Sequence, residues 1–369
     1  IFQQISNNIT TGGSSTTLGS ETVIKDIISP YFTLPAGTHA SDIQINTYAC
    51  TGKNGDTYTW SSTSSGNGGA TATVDGNQVS VTGFNFSENW CGTETNAQST
   101  TVRGKKLVIS FTVGPKSGFL GGNDVITNAD AGIYVNGSAP APIMTFDQPK
   151  VNVPIDDVNV TAEEKNVYLL GNVTAEQLKA GATVTVGGVT LDLSKENDAE
   201  RPYGLEKWQT EFVNITVAVK DKDGKEISAD GMKALTEDTN YTIEVTVAPT
   251  TDGSLDGGTP ATAKTGKSDS ATINVFKPKL TFKDSEAKYG EMVPDDFSAN
   301  KVGEEKWKHN SVESGPILGT KPTLDITYSP DEETFDKENN KYTNQDVPVK
   351  VTVKIGNTDV TEHTTFDHQ

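Results

Sequence analysis

The fold class is decided by a pattern seen most clearly in the stretch Thr183-Val184-Thr185-Val186-Gly187-Gly188-Val189-Thr190-Leu191. Apolar residues at every second position form one face of a β-strand, because successive side chains of a strand point to opposite faces. Two adjacent glycines supply the positive backbone angles that a tight hairpin turn requires. This stretch therefore predicts two antiparallel strands joined by a short turn.

The same alternation recurs along the chain and indicates strands almost throughout. Further segments of this kind are Gln78–Phe84, Lys106–Val113, Phe212–Lys220, Tyr241–Val247 and Val347–Ile355. Helical signals are short: the apolar spacing of Ile1–Thr10 predicts an amphipathic helix, Thr174–Lys179 resembles a capped turn of helix, and Asp230–Leu235 is another candidate. We predict an all-β chain of tandem Ig-like β-sandwich domains arranged as a rod, with a short N-terminal helix.

Two proline-bearing junctions, Asp147–Pro154 and Val275–Leu280, divide the chain into units of the size of single β-sandwiches. We predict a helix and linker over residues 1–20, then domains at 21–150, 151–276 and 277–369.

The chain is strongly acidic, with 49 Asp and Glu against 30 Lys and Arg in 369 residues, a net charge of −19. A protein without a basic face is not expected to bind nucleic acid. No apolar stretch approaches the roughly 20 residues needed to cross a membrane, so no span is expected in this chain.

No catalytic signature is present: the sequence has no nucleophile elbow, phosphate loop or zinc-protease helix. We therefore predict no enzyme activity and no cofactor. Asp221–Lys225 begins like a calcium loop but lacks the later ligands, which favours a hairpin turn. Among the histidines only His363 and His368 are close in sequence, too loosely spaced to predict a metal site. The four tryptophans, Trp60, Trp90, Trp208 and Trp307, are interpreted as core anchors rather than as sugar-binding platforms.

Lys25 lies within Val23–Ile28, which otherwise reads as a buried strand. Burying an ammonium group without a partner is costly, so this lysine requires an explanation. One hypothesis is covalent: a neutral, desolvated lysine amine attacks the carboxamide of a neighbouring asparagine, with a carboxylic acid moving the protons. The alternative is a lysine that extends its ammonium to solvent or forms an ion pair at a strand edge.

Three groups of segments resemble a family of large Gram-positive, clostridial-type cell-surface proteins. They are Ile24–Phe32 with Val81–Phe84 and Gly104–Ile109, then Val167–Gly171 with Trp208–Glu211, and finally Phe276–Pro278 with Leu280–Asp284 and Val351–Gly356. In such adhesin or pilus-tip proteins, collagen-adhesin-type and Ig-like domains follow a von Willebrand factor type A domain. The resemblance implies that residues 1–20 are the last helix and linker of that preceding domain.

The resemblance also implies a Lys–Asn isopeptide bond, with lysine on an early strand and asparagine on a late one. Lys25 and Asn128 match these places. The family carries an aspartate where this chain has Asn85, so Asp42 and Glu88 are the candidates for the assisting acid. Cys50 and Cys91, the two cysteines, could form one disulfide in an exported protein or remain unpaired.

The expected function is a non-enzymatic stalk of an extracellular, cell-wall-associated adhesin or pilus-like protein. The stalk is expected to be monomeric and to meet a host or microbial surface ligand through domains outside this chain. The alternative is a carbohydrate-binding or accessory module of a secreted glycan-active protein, which a row of exposed aromatic side chains on one sheet would favour.

Overall fold

The computed structural model describes residues 2–4, 18–19, 21–55, 57–95, 99–254, 257–282, 302–330, 335–336, 341–342 and 349–368. These residues form mostly antiparallel sheets with only short helices, so the prediction of an all-β, sandwich-like fold is confirmed. In this described part, no helix combines the length and apolar character that crossing a bilayer demands.

The first domain is built from two main sheets. Its strands and helix are β1 Phe2–Gln4, β2 Val23–Ile28, β3 Phe32–Thr33, β4 Gln44–Asn54, β5 Thr57–Trp60, β6 Thr71–Asp75, β7 Gln78–Thr82, α1 Phe86–Asn89, β8 Gly92–Thr95, β9 Thr100–Arg103, β10 Lys105–Ser110, β11 Gly114–Pro115, β12 Gly122–Ile126, β13 Asn128–Tyr134, β14 Met144–Thr145 and β15 Lys150–Val153. One sheet has the order β14-β13-β2-β7-β6, and the other has the order β1-β10-β4-β5. A short 3-10 turn, Ala40–Asp42, precedes β4.

The second domain contains a large sheet of mixed parallel and antiparallel pairing, and the strand pair Thr183–Leu191 lies in a smaller sheet. Its elements are β16 Val158–Thr161, β17 Lys165–Tyr168, α2 Ala175–Lys179, β18 Thr183–Val186, β19 Val189–Leu191, α3 Lys207–Thr210, β20 Val213–Asp221, β21 Thr239–Pro249, β22 Lys264–Lys267 and β23 Ala271–Phe282, with a 3-10 turn at Pro202–Gly204. The β18–β19 hairpin forms as predicted, with both turn glycines at positive φ.

The third domain is smaller in its described part. Its strands are β24 Val302–Lys308, β25 Leu324–Pro330, β26 Phe335–Asp336, β27 Lys341–Tyr342, β28 Val349–Ile355, β29 Thr358–Asp359 and β30 Thr365–His368, with a 3-10 turn at Thr361–His363.

Of the three helix predictions, one is confirmed, one is wrong and one is not confirmed. The predicted helix Ile1–Thr10 is not confirmed: its described residues Phe2–Gln4 pair with β10 as a strand, and the rest lies outside the described residues. Asp230–Leu235 is not helical, because Gly231 takes φ +74° and Met232 exchanges two backbone hydrogen bonds of 2.9 Å with Val173. The helix predicted at Thr174–Lys179 is confirmed, with the Thr174 side chain capping its first turn.

Strand β23 belongs to two domains at once. Its first half, Ala271–Phe276, pairs with β17 and β21 of the second domain. Its second half, Lys277–Phe282, pairs with β24 and β30 of the third domain. The change of partners falls between Phe276 and Lys277, so uninterrupted extended backbone, rather than a loop, connects the two groups of strands.

The buried apolar side chains of the described residues form two clusters. One cluster of buried side chains lies wholly in the first domain. The other runs through the second domain and into the third, where it includes Trp307, Val353 and Val360. At the first junction, Val153 still packs in the first cluster while Ile155 packs in the second, so the chain changes domain at Pro154.

Candidate functional site

The inner face of β2 carries a carboxyl group, Asp26. In the pairing with β7, Ile24 lies opposite Val81 and Asp26 opposite Val79, two valines that are almost fully buried. Alternation along the strand therefore points Asp26 into the core between Ile24 and Ile28. Its Oδ1 atom is shut off from solvent and has no hydrogen-bond partner. Burial raises the pKa of this carboxyl to about 6.

Asn128 lies on the same inner face, on the neighbouring strand β13. It pairs directly with Ile28, and its side chain is buried. Its Nδ2 atom is a buried donor without a partner, and its Oδ1 accepts a long hydrogen bond of 3.5 Å from the Thr127 hydroxyl. Asp26 and Asn128 are thus diagonal neighbours across the strand pair, each with one unsatisfied polar atom in a region where such atoms are costly.

Lys25 lies on the opposite face of the same sheet. Its ammonium donates a hydrogen bond of 2.8 Å to the carbonyl of Gly137 and lies 4.5 Å from the centre of the Tyr134 ring. These contacts correspond to the alternative of a lysine that extends to the protein surface. The structure therefore does not bring the Lys25 amine and the Asn128 carboxamide together. The two side chains lie on opposite faces of the sheet, and Lys25 is three positions along β2 from Ile28, the partner of Asn128.

The two acids predicted to assist the crosslink are both exposed, whereas Asn128 is buried. Asp42 is exposed, and its Oδ2 accepts a hydrogen bond of 2.8 Å from the backbone N–H of His39. Glu88 is exposed in the first turn of α1, and its N–H donates to the side chain of Asn85. Asn85 caps that helix by accepting from Ser87 and Glu88, which gives it a structural role in place of a catalytic one.

The two cysteines flank Gly104. Cys50 donates its backbone N–H to the Gly104 carbonyl over 2.9 Å, and the Cα of Cys91 packs against the side of Gly104 that lacks a side chain. Both thiols are free, Cys50 being buried and Cys91 half-buried. Burial, and secondarily the charge on Cys50, raises the pKa of Cys91 to about 11. Of the two alternatives that the sequence left open, a disulfide or two unpaired cysteines, this structure has the unpaired cysteines.

The junction of the first and second domains is held by the buried side chain of Asn123. Its Nδ2 donates to the carbonyls of Thr251 and Ala261 over 2.8 and 3.1 Å, and its Oδ1 accepts from the N–H of Ala261 over 2.7 Å. The next residue, Asp124, accepts hydrogen bonds from the Thr251 hydroxyl and the Ser254 N–H, both 3.0 Å long. These bonds fix the start of β12 against Thr251, Ser254 and Ala261 of the second domain.

Two further contacts reinforce this junction. Leu120 of the first domain donates its N–H to the carbonyl of Gln209 and packs in the core of the second domain. Gly122 has φ +131°, and a Cβ at this position would lie 2.5 Å from Phe212. Only glycine therefore allows the two backbones to approach so closely.

The tryptophans do not all serve as core anchors. Trp307 is buried, whereas Trp90 is 48% exposed and Trp60 is half-buried. Trp60 lies on the outer face of the β10-β4-β5 sheet. Its pairing partner Cys50 is two residues along β4 from Tyr48, so Trp60 shares a face with Tyr48 and with Lys106, the partner of Tyr48. The neighbouring pair, Thr47 with Leu107, points into the core, so the Tyr48 side is the outer one.

This outer face, here called the aromatic face, alternates rings and ammonium groups. Lys106 lies 5.3 and 5.6 Å from the ring centres of Tyr48 and Trp60, and Lys53 lies 5.2 Å from that of Tyr58. The Tyr58 and Trp60 rings are 6.2 Å apart. Within the described residues, neither ammonium has a carboxylate partner.

Sequence reasoning missed Asp26, Asn123 and the aromatic face. Asp26 was detectable in principle, because it has the same spacing from Ile24 and Ile28 that Lys25 has from Val23 and Ile27.

The described residues contain no group of three or more His, Cys, Asp or Glu side chains able to hold a metal ion. In the comparisons with known proteins, no protein-family profile matches this chain, and no curated protein is recognisably similar to it.

Proposed function

We propose that the chain is a structural stalk of an extracellular, cell-wall-associated adhesin or pilus-like protein, which holds a binding module away from the cell and carries mechanical load. The observation that carries this proposal is strand β23. A strand paired with both neighbouring domains leaves no loop between them that can bend freely. Domains of one chain ordinarily move relative to each other unless their interface is large and apolar.

The first junction supports the same function by other means. Asn123 joins two domains through three hydrogen bonds and is fully buried, so reorientation of the domains would leave several polar groups unpaired. Stiff junctions at both ends of the second domain suit a segment that must keep a fixed length under tension. The proposal does not depend on a Lys25–Asn128 crosslink.

Rotational diffusion of the full chain, measured by NMR relaxation of backbone amides, tests the proposal. One correlation time is expected for amides of all three domains. Insertion of two glycines after Phe276 should separate the third domain into a faster-tumbling unit. The same insertion after Gly224, in the exposed turn that follows β20, is the matched control and should change nothing. Independent tumbling of the domains in the unmodified chain would refute a load-bearing stalk.

A second candidate function is glycan binding, and the aromatic face is the specific observation that favours it. Flat rings in a row offer apolar platforms of the size of a sugar ring. Their unpaired ammonium groups would suit a sugar that carries carboxylate groups. A glycan array probed with the full chain should then show binding that Trp60→Ala abolishes. Trp90→Ala, which also removes an exposed ring stacked on a cation, should keep it. An array without signal, or one unaffected by Trp60→Ala, rejects this function.

A further inference from the structure

The loop before β21 presents two adjacent carboxylates to the third domain, and each contacts one histidine. His309 Nε2 lies 2.8 Å from Asp238 Oδ2, and His363 Nδ1 lies 3.5 Å from Glu237 Oε1. The histidines are far apart in sequence, on the hairpin after β24 and on the 3-10 turn before β30. Only the packing of the third domain on the second brings them to the same pair of acids.

The closer pair is held in place on both sides. His309 closes a tight turn through two backbone hydrogen bonds of 2.9 Å with Val312. Its ring lies 5.9 Å from the ring of Phe276, at the point where β23 changes partners, and is only 18% exposed. Asp238 is fixed by accepting the N–H of Val275 over 2.8 Å. The contact therefore joins two positioned groups and is not a chance meeting of flexible side chains.

The charges around the two rings are unbalanced. Lys277 of β23 contacts Glu237 over 2.8 Å and is the cation facing the acids from that strand. On the histidines' own elements, the sequence neighbours are Lys308 and Glu362, one of each sign. Two carboxylates and one ammonium leave a net charge of −1 when both rings are neutral, so the first proton taken up by a ring neutralises the cluster.

We propose that the junction between the second and third domains is a proton-dependent latch, in which protonation of His309, assisted by His363, ties the third domain more tightly to Asp238 and Glu237. This inference goes beyond the stalk function: it makes the stiffness of the stalk depend on the acidity of its surroundings. It would hold equally if the chain bound glycans.

The direction of the effect follows from linkage. A protonated ring beside an ionised carboxylate forms an ion pair that a neutral ring cannot form, so this stabilisation of the docked state is present at low pH and weaker at high pH. Partial burial acts to raise the pKa of Asp238, but hydrogen bonds from Val275 and His309 and the charges of His309 and Lys277 hold it below its ordinary value. The carboxylate is thus already ionised over the whole range in which histidines titrate.

Hydrogen exchange of the full chain, read by mass spectrometry on peptides from β24 and the second half of β23, tests the latch. After correction for intrinsic exchange, protection is expected to be about two- to five-fold greater near pH 5.5 than near pH 8, the range for one partly exposed ion pair. His309→Gln should remove most of this ratio, and His363→Gln a smaller part. His39→Gln, an exposed histidine of the first domain, is the matched control and should keep it.

Asp238→Asn provides an independent test, because its remaining oxygen can still accept the N–H of Val275. Loss of the pH ratio in this variant supports the latch even if His309→Gln does not fold. A wild-type ratio of one, or an unchanged ratio in either His309→Gln or Asp238→Asn, overturns the proposal.

Discussion

Replacing Asp26 by asparagine is expected to stabilise the first domain at neutral pH. Asp26 is an acid in the core whose Oδ1 has no partner, and burial raises its pKa from an ordinary value of 3.8 to about 6. The folded state therefore holds this proton more tightly than the unfolded state does. Stability contributed by the neutral acid is present below about pH 4 and is lost as the pH rises towards about 6.

The size of the effect follows from the shift. Two pKa units correspond to about 3 kcal/mol in the free energy of unfolding, an upper estimate because the residue as a whole is only half-buried. Asp26→Asn keeps the shape of the side chain and removes the charge. Its stability relative to wild type should thus be near zero at acidic pH and rise to between about 1 and 3 kcal/mol at pH 7.

Urea unfolding across this pH range, read by hydrogen exchange of peptides from β2, measures the difference within the first domain. Glu21→Gln, an exposed acid just before the same strand, is the matched control and should follow wild type at every pH. Parallel curves for wild type and Asp26→Asn, or a variant that is less stable at pH 7, would refute the assignment of Asp26 to the inner face.

Three further predictions concern other parts of the chain. Asn123→Ala should lower the free energy of unfolding by about 3 kcal/mol, because it leaves buried hydrogen-bonding groups of the second domain without a partner. Asn136→Ala, which loses only a local hydrogen bond, should be nearly neutral in urea titration. Cys91 should react with iodoacetamide about ten- to a hundred-fold more slowly in the folded than in the urea-unfolded protein, because its raised pKa leaves little thiolate; equal rates would contradict its placement. The intact mass should equal that of the sequence, because Lys25 and Asn128 lie on opposite faces; a mass lower by one ammonia, restored by Lys25→Ala, would show that they meet.

Much of the fold was predictable because it depends on local patterns. Alternating valine and threonine around Gly187-Gly188 is compatible with a hairpin and with little else, and the structure contains that hairpin. The capped turn at Thr174 was likewise predictable, since its capping residues are neighbours in sequence. The Ile1–Thr10 helix was not confirmed, because the spacing of a few apolar residues does not show whether a sheet edge such as β10 is available to pair with them.

The candidate sites were less predictable. The contacts of Asn123 reach residues more than 120 positions away, and those of His309 and His363 converge on acids that precede them by more than 70 positions. No local pattern encodes such meetings. Trp60 and Trp90 were misassigned to the core for a related reason: composition favours burial of tryptophan, but the outer face of a sheet is defined only once its strands are paired.

The stretch Val23–Ile28 shows where the two kinds of information divide. Its sequence determines a strand, and its period of two determines that Lys25 and Asp26 point in opposite directions. It does not determine which of them points inward, because valine and isoleucine occur on both faces. That choice was made by β7 and β13, whose buried valines and Asn128 cover the face of Ile24 and Ile28, and it placed a carboxylic acid rather than an amine in the core.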